Sequence, residues 1–186
     1  MSQAHWAAEL ARKILEVPLP RRWAHVQGVA AQARSLSPIL GGDADLLEAA
    51  AWLHDIGYSP ELADTGFHPL DGARYLRDVE RADPMLCRLV ANHSCAILEA
   101  EERGLADVLS SEFPSPGPKL NDALAYCDMT TTPTGDVVSV YDRLSEIVER
   151  YGPNDAVTSF IRKAEPELVS SVVRTGQRLS WRNKER

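Results

Sequence analysis

Histidine and aspartate residues recur in this sequence at positions that should point into the protein interior. Imidazole nitrogen combined with carboxylate oxygen suits divalent Mn, Fe, Co, Ni or Zn better than Ca, which prefers oxygen alone. A single inward histidine is more often a packed core residue, but here that explanation must hold for four of the chain's five histidines. The candidate metal ligands are His25, His54, Asp55, His68, His93 and Asp128. We therefore expect a divalent metal centre, Mg being a further alternative.

The adjacent pair His54 and Asp55 closes an apolar run that is typical of a core helix. Leu47 and Ala50 precede His54 by seven and four residues, which places the imidazole on the buried face. Gly57 is expected to cap this helix in the left-handed conformation, so that both polar side chains lie in its last turn. That end of a helix favours cations by roughly 0.3–1 kcal/mol, and a buried carboxylate is costly unless it is paired or bound to metal.

The other candidate ligands lie on separate predicted helices. His25 shares one side of its helix with Val29, and Asp128 lies four residues beyond Leu124, so both should face inward. His93 follows apolar residues at the same spacing as those before His54. His68 stands just outside a helix that opens at a proline, a residue suited to the first helical position. A shared site therefore requires these helices to meet.

Apolar residues at helical spacing predict an all-α fold, because no segment alternates with period two for long. Asp45 and Glu48 resemble a capping box at the start of the His54 helix. Residues 107–119 are expected to form a short helix and a surface loop, because they contain three prolines and a glycine. Further helices are predicted over residues 3–16, 20–36, 45–55, 84–93, 120–128, 138–151, 155–164 and 166–182, with one opening at Pro69.

The length of 186 residues suits one domain, a helical bundle over residues 1–186. The candidate ligands occupy a core of about residues 20–132, and the helices of about 137–182 are expected to pack on it. The cysteines Cys87, Cys95 and Cys127 are expected to be buried, reduced thiols.

Charge and hydropathy exclude several partners. A net charge of -7 and a pI near 5.2 argue against binding a nucleic-acid polymer, which depends on Lys and Arg contacts to phosphate. No apolar run approaches the roughly 18 residues needed to span a bilayer, so we expect no membrane partner. The N-terminal residues lack the pattern of a secretory signal. We expect a cytoplasmic protein, and the oligomeric state is left open.

The ordered set of histidines and aspartates resembles the HD-domain metal-dependent phosphohydrolases, which are named for an adjacent His-Asp pair. The matching segments are HVQGVA with His25, LHDIGY with His54 and Asp55, FHPLDGARYL with His68, ANHS with His93 and YCDMT with Asp128. Ser94 stands where many two-metal relatives have a second consecutive histidine. No GYP signature follows His93 and Tyr58 replaces a common lysine, which argues against a typical cyclic di-GMP phosphodiesterase.

This resemblance implies a first metal held by His25, His54, Asp55 and Asp128. In relatives with two metals, Asp55 bridges the ions while His68 and His93 hold the second one. A bound divalent ion lowers the pKa of its water toward about 7, and a second ion helps to clamp the phosphoryl oxygens. The candidate catalytic residues are Asp55, which would also orient this water, and His68 or His93, either of which could polarise the phosphate or assist the leaving group.

Cations near these segments are candidate contacts for a phosphorylated substrate. The candidate substrate-binding residues are Arg21, Arg22, Tyr58 and Lys119, of which Tyr58, like Trp23, could stack on a base. The basic end from Arg174 to Arg186 could fold over the site, although charged terminal helices usually face water. The leading hypothesis is a metal-dependent phosphohydrolase, a phosphatase or phosphodiesterase, acting on a nucleotide or another small phosphorylated metabolite. A non-catalytic nucleotide or metal sensor and a helical scaffold are the alternatives.

Overall fold

Helices form most of the chain in a computed structural model that describes residues 2–184. The helices are α1 (Gln3–Leu15), α2 (Pro20–Ser35), α3 (Ser37–Leu40), α4 (Ala44–Leu53), α5 (His68–Asp78), α6 (Pro84–Asn92), α7 (Ala96–Glu102), α8 (Ala106–Glu112), α9 (Pro118–Met129), α10 (Val140–Tyr151) and α11 (Ala156–Lys184). Within residues 2–184 no strand forms, and Thr131 and Val137 make only an isolated bridge. The predicted all-α class is therefore confirmed. No helix in this range is both long and apolar enough to cross a membrane.

Helix α4 lies at the centre of the larger of two apolar clusters. It packs against α1, α2, α6 and α9. Its buried side chains include Ala49, Ala50 and Ala51, which project in different directions around the helix. These small residues let neighbouring helices approach closely. The chain therefore leaves α4 at Leu53 inside the protein, and the two residues that follow start in the core.

Helix α9 joins this cluster to the second one. Leu124 and Cys127 belong to the larger cluster, while Ala125 and Met129 pack with residues of α10 and α11. Burial of the Leu124 side chain alone contributes roughly 1.5–3 kcal/mol to the free energy of unfolding. Packing on two sides fixes the rotation of α9 about its axis. Asp128 is therefore held in a defined direction between the clusters.

The predicted capping box at Asp45 is wrong. Helix α4 begins at Ala44, and the backbone N–H groups of Gln3 and Ala4 donate to the Asp45 carboxylate at 2.8 and 3.2 Å. Because these N–H groups are unpaired within the first turn of α1, Asp45 satisfies donors of another helix instead of its own. The carboxylate therefore joins α1 to α4.

The predicted left-handed cap at Gly57 is also wrong. Gly57 lies in a 3-10 turn, Ile56–Tyr58, and does not have positive φ. A glycine is needed there because a Cβ atom would lie 2.0 Å from the carbonyl oxygen of His68 and 2.7 Å from the backbone nitrogen of Gly72. The missing side chain thus lets the start of α5 rest against the residues that follow Asp55.

The two C-terminal helices predicted around Pro166 form one continuous helix, α11. Proline lacks an N–H donor and usually kinks or ends a helix at a cost of about 3 kcal/mol. Here Ile161 and Ala164 before the proline and Leu168 after it are all buried in the second cluster. Packing on both sides of Pro166 offsets the local tendency of the helix to end there.

The short helices α3 and α7 were not predicted. The prediction of three buried cysteines holds for Cys87 and Cys127, whereas Cys95 is only partly buried.

We expect Gly57→Ala to lower the free energy of unfolding by about 1–3 kcal/mol or more, because the added methyl group overlaps backbone atoms of α5. Urea unfolding followed by circular dichroism measures the change. Gly176→Ala is the matched control, since within the described chain a Cβ there meets no atom within 4 Å and alanine favours a helix. Equal stability of the two variants would contradict the close approach.

Candidate metal centre

The six candidate ligands meet at the ends and inner faces of five helices. His25 lies on α2, His68 begins α5 and Asp128 lies on α9, while His54 and Asp55 follow α4 and His93 follows α6. His68 is partly buried, and the other five are at most 8% exposed. The structure thus brings together side chains that are up to 103 residues apart in the chain.

The ligand atoms form two adjoining triads. His25, His54 and Asp128 make one, Asp55, His68 and His93 make the other, and within each triad the ligand atoms lie within 4.8 Å of one another. The triads meet where Asp55 Oδ1 lies 3.6 Å from His54 Nε2 and 3.5 Å from His68 Nε2. Asp55 therefore occupies the boundary between two possible ion positions.

Backbone carbonyl groups orient three of the imidazoles. The Nδ1 atom of His25 lies 3.0 Å from the carbonyl oxygen of Thr132. The Nδ1 atom of His54 lies 2.9 Å from the carbonyl oxygen of Ala51, and that of His93 lies 2.7 Å from the carbonyl oxygen of Val90. A carbonyl oxygen only accepts, so each Nδ1 carries the proton. In the neutral ring Nε2 then presents its lone pair to the centre, the arrangement usual for ligating histidine.

The Nε2 atoms that face the centre lack hydrogen-bond donors. Among the described residues His54 Nε2 is fully buried and has no hydrogen-bond partner. His25 Nε2 faces Asp128 Oδ1 at 3.0 Å, where two lone pairs meet unless a second proton or a shared cation lies between them. An unsatisfied buried polar atom costs about 1–3 kcal/mol. The donor set therefore fits a divalent ion, and the nitrogen and oxygen mixture suits Mn, Fe, Co, Ni or Zn.

The ionisation states also match those of ligands. Burial lowers the pKa of His54, and burial together with neighbouring His93 holds the pKa of His68 well below its usual value, so both rings are neutral. Burial acts to raise the pKa of Asp55, but the charge of Arg22 outweighs it and holds that pKa well below its usual value. Burial acts to raise the pKa of Asp128, but its neighbours, first His25 and also Arg143, outweigh burial and hold that pKa well below its usual value.

A serine fixes the orientation of Asp128. Ser94 Oγ donates to Asp128 Oδ2 at 2.5 Å, which leaves Oδ1 directed at the histidines. Ser94 and Cys95 have positive φ values of 46° and 62°, a conformation that non-glycine residues rarely adopt. This sharp turn after His93 carries the hydroxyl group to α9. In the sequence, Ser94 is recognisable only as a departure from the family pattern.

Of the candidate substrate-binding residues, Arg22 and Tyr58 lie at the centre. Arg22 Nη1 donates to Asp55 Oδ2 at 2.7 Å, and its guanidinium lies 3.6 Å from the centroid of the Tyr58 ring. That ring stacks on His68 with a centroid distance of 3.8 Å. These groups line a cavity of about 80 Å³ beside the two triads.

Other candidate residues lie elsewhere. Lys119 donates to Asp43 at 2.9 Å in a half-exposed pair, and it is not among the described residues that line the cavity. Arg21 is exposed and faces a neighbouring groove. Trp23 stacks on Trp52 with a centroid distance of 5.6 Å and packs against the core.

Two arginines that the sequence analysis missed line the cavity from α10. Arg143 and Arg150 are seven residues apart and therefore share a helix face, with Ile147 between them. This spacing was readable from the sequence. Nothing local, however, indicated that this face of α10 would meet the histidines.

We expect Ser94→Gly to weaken metal binding by about 10–100-fold, the usual effect of removing a group that orients a ligand. Glycine tolerates the positive φ, so folding stability should be kept. Isothermal titration calorimetry with Mn²⁺ or Zn²⁺ measures the affinity. Cys95→Gly is the matched control, because it relieves the same kind of backbone conformation without touching Asp128. Equal metal affinities of the two variants would argue against the role of the hydroxyl group.

Acid should destabilise the metal-free protein. His54 and His68 have pKa values below the unfolded value of about 6.5, so below that pH the unfolded chain binds more protons than the folded one. The free energy of unfolding then falls by up to about 1.4 kcal/mol per pH unit for each group. The lowered pKa values of Asp55 and Asp128 add a loss in the same direction near pH 4.

Urea unfolding at pH 7.5 and pH 5.5 tests this dependence. His68→Gln should show a smaller difference between the two pH values than the unsubstituted protein, whereas His5→Gln, at an exposed position of α1, should leave the difference unchanged. A His68→Gln curve parallel to that of the unsubstituted protein would show that His68 does not carry the effect.

Comparison with known proteins agrees with this geometry. A family model described as HD domain matches residues 22–150, which is more than half of the chain and includes all six candidate ligands. Searches of curated proteins and of solved structures found no match. HD domains bind divalent metals, and the two triads offer the His and Asp groups to hold them. With a match of this extent, the chain belongs to the HD domain family.

Proposed function

We propose that the protein is a metal-dependent phosphohydrolase that acts on a small phosphorylated compound. The HD domain family consists generally of metal-dependent hydrolases. The observation that carries the proposal is the pair of adjoining triads, in which buried Nε2 and carboxylate oxygen atoms face one another without enough protons to satisfy them.

In this proposal His25, His54 and Asp128 would hold one ion, and Asp55, His68 and His93 would hold a second. Bound there, divalent ions would lower the pKa of water toward neutrality and would stabilise charge on the phosphoryl oxygens. Asp55 lies between the triads and can orient the water. Arg22, which is paired with Asp55, can then contribute positive charge toward the substrate.

His68 and His93 are candidates both for binding a metal ion and for assisting the leaving group, and a single nitrogen atom cannot do both. Their Nε2 atoms are 3.1 Å apart, and His93 Nδ1 already faces a carbonyl group. A nitrogen that binds a metal ion has no lone pair left to move a proton. If both residues are ligands, they act by positioning charge, and protonation of the leaving group falls to another donor.

Of the alternative sensor functions, a metal sensor is the second candidate. Two observations favour it: the cavity beside the triads measures only about 80 Å³, and Arg22 and Tyr58 lie over Asp55 and His68. A protein of this kind would bind ions without turnover.

The decisive experiment loads the purified protein with Mn²⁺, Fe²⁺, Co²⁺, Ni²⁺, Zn²⁺ or Mg²⁺ and assays p-nitrophenyl phosphate, bis(p-nitrophenyl) phosphate and a nucleotide panel. We expect turnover, and we expect His54→Ala and Asp55→Ala to lower both metal content and kcat/KM by at least about 100-fold, because each leaves a triad incomplete. His5→Ala is the matched control and should retain both properties.

Metal content is measured by elemental analysis of each variant. Stable metal binding without turnover of any ester would favour the sensor. Failure to take up any of these ions would rule out both candidates and leave a helical scaffold with packed histidines.

A further inference from the structure

A cluster of arginines surrounds the cavity beside the metal centre. The charged residues that line it are Arg22, Arg143, Arg150, Asp55, Asp128 and Glu99. The three cations balance the three carboxylates in the absence of metal. Two divalent ions would leave the cavity strongly positive, which suits an anion of more than one charge.

Arg143 is the least expected member of this cluster. It is only 5% exposed, and among the described residues its Nε has no hydrogen-bond partner. Its Nη1 donates to Glu146 Oε2 at 2.5 Å. A buried guanidinium group with an unused N–H is unfavourable unless an acceptor is supplied. Arg143 lines the cavity, so its guanidinium group is within reach of an anion bound there.

The same arginines separate the cavity from a larger groove. Arg22, Arg143 and Arg150 also line a neighbouring space of about 390 Å³, together with Arg21 and Pro133. Ligand pockets commonly measure about 300–1,000 Å³. An engineered cavity of about 150 Å³ takes a benzene molecule, so the 80 Å³ beside the triads has room for a phosphoryl group but not for a nucleoside.

We propose that Arg22, Arg143 and Arg150 bind the terminal phosphoryl group of a phosphomonoester, whose organic part lies in the groove beyond them. This inference rests on the proposed hydrolase function and narrows its substrate class. A terminal phosphoryl group has three non-bridging oxygens, enough for metal ions on one side and guanidinium groups on the other. A diester has only two such oxygens, and its second substituent would need space that the small cavity lacks.

Glu146 competes with the substrate for these cations. It accepts from Arg143 and lies 3.5 Å from Arg150 Nε, so it neutralises part of their charge. Removing the Glu146 charge and removing an arginine should therefore change phosphate affinity in opposite directions. A purely structural ion pair would instead lose stability from either change.

Titration of the metal-loaded protein with inorganic phosphate tests the site by calorimetry. We expect Arg143→Gln and Arg150→Gln each to weaken phosphate binding by about 10-fold or more, and Glu146→Gln to strengthen it. Arg162→Gln, at an exposed position of α11, is the matched control and should leave the affinity unchanged. Arg150→Gln also covers the case in which Arg143→Gln fails to fold, because Arg150 is less buried.

Several outcomes would overturn the inference. These are no phosphate binding at millimolar concentration, equal affinity in all variants, or weaker binding by Glu146→Gln as well as by Arg143→Gln. Faster turnover of bis(p-nitrophenyl) phosphate than of p-nitrophenyl phosphate would also overturn it while leaving the hydrolase proposal intact. Arginine-dependent phosphate binding without turnover of any ester would instead support the phosphate site and contradict the hydrolase proposal.

Discussion

The burial of carboxylates and imidazoles at one point of a helical core is the constraint on which the rest of the structure depends. Moving such groups out of water is costly unless each finds a partner. Asp55 accepts from Arg22 and Asp128 accepts from Ser94, so each carboxylate has a named side-chain donor. Within the described part of the chain, His54 Nε2 has none, although it is the most deeply buried of the set. The fold therefore keeps one nitrogen ready for a ligand that the protein does not supply.

The helices meet this constraint by offering backbone atoms as well as side chains. His54 and His93 each use a carbonyl group three residues earlier, so the end of a helix orients its own imidazole. His25 has no such carbonyl on α2 and depends on Thr132, in the loop after α9. That loop reaches α2 because Gly28 has no side chain: a Cβ there would lie 2.3 Å from the carbonyl oxygen of Gly135. A glycine contact thus positions an imidazole of the candidate metal centre one helical turn away.

Helical periodicity was sufficient to predict which polar residues face inward, because a helix repeats every 3.6 residues whatever it packs against. It identified His25, His93 and Asp128 from local apolar neighbours alone. Predictions of features that depend on contacts between distant parts of the chain were wrong in two cases. Asp45 has the sequence context of a cap for its own helix, and only the position of α1 shows that it caps another. Pro166 looks like a helix end until the buried residues on both sides of it are known.

Proximity in sequence was also a poor guide to the cations of the site. Arg21 is next to Arg22, yet neighbours on a helix point about 100° apart, and only Arg22 reaches Asp55. Lys119 shares α9 with Asp128 but precedes it by nine residues, roughly 14 Å along the axis. Arg143 and Arg150 lie beyond the last ligand in the sequence and reach the cavity because the second cluster holds α10 against α9 and α11. The cluster that packs the C-terminal helices therefore also determines the charge around the candidate metal centre, so a change in its packing would alter the site without touching a candidate ligand.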